Sequence, residues 1–150
     1  MSTPPPPPCG AGRGEVPTPA VGATLVAPSR PTVQELLSAD DFTIVTATLA
    51  RTHPDLGWVA AEQRVTEALK FVATIAGCSA EDLVPSGPVD AAWHALISNT
   101  ELYAELCARL GTFVHHRPAV TGTEAPAPGW RERTQAAIEA AGFEVCPDLW

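Results

Sequence analysis

Residues 57–76 read GWVAAEQRVTEALKFVATIA. Trp58, Ala61, Val65, Ala68, Leu69, Val72 and Ile75 recur three and four apart, which gathers them on one face of a helix. Glu62, Gln63, Thr66, Glu67, Lys70 and Thr74 fall on the opposite side. A helix this long with an apolar stripe this continuous needs other elements to cover it. Gly77 stands where a left-handed cap would close it.

The segments on either side carry the same period. Upstream, Ser38-Ala39-Asp40-Asp41 has the Ser-x-x-acid form of a helix start, and Phe42, Val45 and Leu49 then share one face. His53-Pro54 ends that helix, because the residue before a proline avoids helical geometry. Downstream, Cys78–Pro85 reads as a linker, and Ser86-Gly87-Pro88 as cap, glycine and first-turn proline. A third helix follows over about Pro88–Ile97. Ser98-x-x-Glu101 has the form of a second capping box and starts a fourth helix, which stops at Gly111. Thr112–His116 reads as a short extended piece halted by Arg117-Pro118, and residues 118–129 as loop. A last helix over about Trp130–Ala141 ends at Gly142, and Phe143–Trp150 is a strip with apolar anchors. No strand pattern and no internal repeat is present. The expected fold is all-α, a small bundle of about five helices.

Composition divides the chain at residue 31. Residues 1–31 hold nine of the sixteen prolines, five of them in one run, and no aromatic residue. Such a segment buries too little apolar area to offset the entropy of ordering it, so it is expected to be a disordered, Pro-rich tail. Its expected use is solubilising, with docking to a protein partner as the alternative. Residues 32–150 form the expected helical domain, long enough for one core. That domain carries 7 Lys+Arg against 16 Asp+Glu. An acidic surface with no basic stripe repels phosphate backbones, so no nucleic acid is expected as a partner. No apolar run approaches the ~20 residues that span a bilayer, and the N-terminus lacks the form of a secretory signal. Cys9, Cys78, Cys107 and Cys146 are scattered with no paired motif, which fits reduced thiols and a cytoplasmic location.

Chemistry concentrates in VDAAWHALISNTELYAELCARLGTFVHH, residues 89–116. Val89, Ala92, Trp93 and Leu96 form the core face of the third helix, with Asp90 and His94 together on its flank, one turn apart. A carboxylate beside an imidazole can fix its tautomer, as around metal-bound histidines and general bases. On the next helix Leu102, Tyr103, Leu106 and Leu110 make the buried face, with Cys107 on the flank. Cys107 is a ligand only if histidines approach it, and otherwise a small buried hydrophobe. His115 and His116 point to opposite sides in extended chain, so one of them at most faces a site. Imidazole, thiolate and carboxylate together suit zinc, iron or copper, although the spacing matches no zinc finger. The candidate ligands are therefore Asp90, His94, Cys107, His115 and His116, with Trp93 and Tyr103 walling the site. Cys146-Pro147 is a pair that can ligate haem, but isolated pairs of this kind are mostly accidental and no haem is expected. His53, at a helix end, is assigned no site role.

The run Val89-Asp90-x-x-Trp93-His94, then Tyr103, Cys107 and His115-His116-x-Pro118, resembles the Trp-His helical domain of bacterial proteins related to the glycine-rich domain-containing protein-like family. The likeness covers about residues 37–118, more weakly 134–150. Leu96 stands where that family often has a second histidine or an aromatic, so no His-x-His pair is formed. The resemblance implies a helical fold and supplies no established activity.

Three functions fit these readings. The leading one is a small helical protein with a transition-metal site. The second is a non-enzymatic interaction module in which the His/Trp/Tyr/Cys cluster only packs. The third is a metal-free acid–base enzyme using Asp90 and His94, ranked last because it lacks an evident nucleophile.

Overall fold

The computed structural model describes residues 32–78, 83–117 and 125–150. The Pro-rich segment 1–31 and most of the loop after Arg117 lie outside the described residues. The chain forms α1 (Val33–Leu36), α2 (Ala39–Thr52), α3 (Trp58–Gly77), α4 (Gly87–Ser98), α5 (Thr100–Leu110) and α6 (Trp130–Ala140), then a 3-10 turn at Pro147–Leu149. It is an all-helical bundle. Among the described residues no helix is long and apolar enough to cross a membrane.

The bundle is organised around α3, which packs against α1, α2, α4, α5 and α6. Val65, Ala68, Leu69, Phe71 and Val72 are fully buried there. They meet Leu49 of α2, Val89 and Leu96 of α4, Leu106 of α5 and Ile138 of α6 in one continuous core. Each such leucine, valine or phenylalanine contributes roughly 1.5–3 kcal/mol by leaving water.

Because α3 is enclosed on several sides, its expected polar face is not wholly solvated. Glu67 and Thr74 are each 1% exposed, against the sequence expectation. Thr74 satisfies its hydroxyl on the Lys70 carbonyl at 2.8 Å. Glu67 accepts from Lys70 Nζ at 2.6 Å and from the indole N–H of Trp150 at 2.8 Å. Lys70 also donates to the Glu144 carbonyl at 2.6 Å, so this ion pair ties the C-terminal strip to the central helix. Trp150 packs on Phe71, and the Ser86 hydroxyl donates to the Leu149 carbonyl.

Three further expectations need correction. Trp58 is not in the apolar stripe: it is the first residue of α3, half exposed, and its indole N–H donates to Glu62 on the outer face. Gly77 is the last helical residue, not a left-handed cap, and Cys78 leaves the helix in extended geometry. Ser98 does not cap α5. Its hydroxyl turns back to the His94 carbonyl at 2.8 Å, as a helix-terminal serine does when the carbonyl one turn behind is within reach. Asn99 makes that junction, its side chain donating to the Ala95 carbonyl and to Thr48 Oγ1. Gly111 ends α5 where expected, in left-handed geometry at φ 81°. The short α1, opened by the reciprocal Thr32–Glu35 capping box, is an addition to the expected elements.

Candidate metal centre

The start of α4 sets the phase of everything it carries. The Ser86 hydroxyl accepts from the Val89 N–H, and Pro88 occupies the first turn. Val89, Trp93 and Leu96 then point into the core, which leaves Asp90 and His94 at the edge of the helix. Their side chains meet there, His94 Nε2 lying 3.8 Å from Asp90 Oδ2.

A third group arrives from the strip after α5. Trp93 donates its indole N–H to the Tyr103 hydroxyl at 3.0 Å, and that hydroxyl donates to the Val114 carbonyl at 2.6 Å. This buried chain pins the strip to the α4–α5 pair. Side chains alternate along the strip: Val114 faces in, His115 out, His116 in again. The His116 ring stands edge-on to Trp93, centroids 4.5 Å apart, and its side chain is only 14% exposed. Burial holds the Tyr103 phenol well above its ordinary value, against the opposing pull of the Trp93 N–H, so it remains a neutral donor.

Asp90, His94 and His116 converge. His116 Nε2 lies 2.8 Å from Asp90 Oδ1 and 3.1 Å from His94 Nε2. One ligand atom from each of the three residues fits within 4.8 Å of the others. Ligand atoms around one cation at 2.0–2.2 Å stand about 2.8–3.6 Å apart. The 3.8 Å Asp90–His94 separation exceeds this slightly. His116 Nε2–H can donate to Asp90 Oδ1 with His94 Nε2 as a second acceptor, and the same three atoms are able to hold a single cation.

The remaining sequence candidates are not brought to this point. Cys107 is 2% exposed and sits in the core beside the Tyr103 hydroxyl, where a flank position was expected. His115 is exposed and stacks on Phe113 with centroids 4.8 Å apart. Trp93 borders His116 directly. Tyr103 acts at one remove, its hydroxyl being fully used in holding Val114. Cys146 lies on a groove of α3 with Glu62 and Lys70.

A cleft of about 310 Å³ opens between α2 and α4, with Asp90 and His94 in its wall. Thr48, Thr52, His53 and Ser98 line the rest of its polar rim. No single stretch of sequence signals this cleft, because α2 contributes it from across the bundle. Comparison with protein-family models, with characterised proteins and with solved structures gives no match to this chain.

Proposed function

We propose that this protein binds a divalent transition metal through Asp90, His94 and His116. The observation that carries the reading is His116 Nε2, set within 3.1 Å of both an imidazole nitrogen and a carboxylate oxygen. Two imidazoles and one carboxylate form a borderline-to-hard donor set without thiolate. That set suits zinc or ferrous iron, with copper(II) next, and is unsuited to copper(I). Three protein donors leave at least one position of a tetrahedral or octahedral ion for a small molecule, as in catalytic rather than structural sites.

Among the described residues Cys78, Cys107 and Cys146 form no disulfide with one another, and a reducing, cytoplasmic setting is part of this proposal. The likeness to the bacterial Trp-His helical proteins rests on the sequence pattern and remains part of this proposal, as does a protein partner for the Pro-rich segment. The interaction-module reading keeps one element of support: Tyr103 and Cys107 are buried packing groups.

Metal-free protein titrated with zinc, ferrous iron, cobalt and copper by calorimetry tests the proposal. One equivalent should bind wild type, and His94→Ala, His116→Ala and Asp90→Asn should each weaken binding at least tenfold. Affinity should fall on acidification, since imidazole binds metal only when unprotonated.

A further inference from the structure

We propose that the cleft between α2 and α4 binds a short alkylammonium group. The proposal is independent of the metal-binding reading. The cleft shares Asp90 and His94 with the metal centre, but His116 is not in its lining. The Asn99 side chain holds the two walls together, donating to Thr48 Oγ1 on α2 and to the Ala95 carbonyl on α4.

Each hydroxyl in the lining has spent its proton within its own helix. A backbone carbonyl only accepts, so the direction of these bonds is set. Thr48 donates to the Ile44 carbonyl at 2.9 Å, Thr52 to the Leu49 carbonyl at 2.9 Å and Ser98 to the His94 carbonyl at 2.8 Å. These three oxygens offer a ligand lone pairs alone. A carbonyl, carboxylate or phosphate oxygen would meet acceptors there, whereas N–H groups are matched. The rings of His53 and His94 can serve in either role.

Charge points the same way. Asp90 brings a carboxylate to the lining, and among the described residues no lysine or arginine joins it there. Asp90 Oδ1 lies 2.8 Å from His116 Nε2, while Oδ2 stands 3.8 Å from His94 Nε2, beyond hydrogen-bond reach. The carboxylate therefore keeps an oxygen for a further donor. The end of α2, through Thr52 and His53, and the start of α4, through Gly87, both border the cleft. Opposite helix-dipole ends meet there and offset each other. Asp90 then decides the sign, and a cation is favoured.

Shape limits the rest of the ligand. Gly87, Ala91 and Ala95 give the α4 side of the cleft a surface without long side chains, suited to a short alkyl chain. A volume of about 310 Å³ is at the small end for ligand sites. A primary ammonium supplies three N–H donors for the carboxylate and hydroxyl oxygens. A quaternary ammonium carries the same charge and leaves those oxygens without donors.

The test follows backbone amide shifts of the metal-free full chain by NMR during titration with n-butylammonium chloride. Saturable shifts should appear at Thr52, Ala91, Ala95 and Ser98. Tetramethylammonium should bind about tenfold more weakly, and acetate should not bind. Asp90→Asn should lose about tenfold in affinity for butylammonium and Ser98→Ala about threefold. Nα-acetyl-lysine methylamide separates two sources of the same group. Tighter binding than butylammonium assigns the ammonium to a lysine of a partner chain, and weaker binding assigns it to a free amine. The proposal is overturned if butylammonium gives no saturable shift, or if tetramethylammonium or acetate binds as well as butylammonium does. It is overturned equally if Asp90→Asn, folded as wild type by circular dichroism, keeps full affinity. Because no metal is present, failure of zinc to bind leaves this result unaffected.

Discussion

Glu67 and Asp90 are two carboxylates in the same small bundle, and their surroundings differ in kind. Glu67 is 1% exposed and faces only donors: the Lys70 ammonium and the Trp150 indole N–H. Its charge is balanced and its hydrogen bonds are made. The Asp90 side chain is 36% exposed and faces two imidazole nitrogens, each able to carry a proton or a lone pair. The first arrangement is complete with protein atoms alone and holds the C-terminal strip in place. The second brings together three groups able to hold a cation. Burial alone would mark Glu67 as the notable residue, whereas the identity of the facing atoms marks Asp90 as the one able to share a metal ion.

Trp93 joins the two regions, standing 5.4 Å from Phe71 on one side and 4.5 Å from His116 on the other. Trp93→Ala should have the largest effect, costing about 4 kcal/mol in denaturant unfolding. It should also weaken metal binding by freeing His116, and normal affinity in this variant would show that the wall is dispensable. Lys70→Met leaves Glu67 buried without its cation and should cost about 3 kcal/mol, with metal affinity unchanged. A metal defect there would mean that the two regions are coupled.

Tyr103→Phe removes the hydroxyl between Trp93 and Val114 and should cost about 1–2 kcal/mol. Because the strip that carries His116 loses its anchor, metal affinity should fall as well. The same hydroxyl predicts an alkaline limit. Its raised pKa means that the folded chain keeps a proton the unfolded chain loses above 10.0. This contribution is therefore fully present below that pH and declines as pH rises beyond it. Thermal melts from pH 8 upward should show wild type losing stability where Tyr103→Phe does not. The smallest effect belongs to the half-exposed cluster. Metal-free His94→Ala should melt within about 0.5 kcal/mol of wild type. A large loss would make the cluster a structural node like that of Glu67.

The helices were legible in the sequence because their signals are local. The Ser38 and Ser86 caps, the spacing of Val89, Trp93 and Leu96, and the helix stop at Gly111 all act within a turn or two of themselves. Glu67 was misread because an amphipathic wheel assumes one covered face, while α3 is covered on several. The Asp90–His94 pair was legible for the same local reason as the helices. Which of His115 and His116 joins it depends on a hydroxyl from Tyr103 gripping the Val114 carbonyl, a contact that spacing does not encode. Cys107 reads identically as a ligand or as core, and only packing beside Tyr103 separates the two.

Thermal melting of metal-free protein with and without excess zinc tests the central assignment most directly. At a free concentration of 100 times Kd, a ligand that binds only the folded state stabilises it by about 2.7 kcal/mol. Wild type should show that upward shift in Tm while His116→Ala, folded to the same extent without metal, shows about half of it or less. Equal shifts in the two proteins, or no shift in wild type with zinc, ferrous iron, cobalt or copper, would contradict a metal centre at Asp90, His94 and His116.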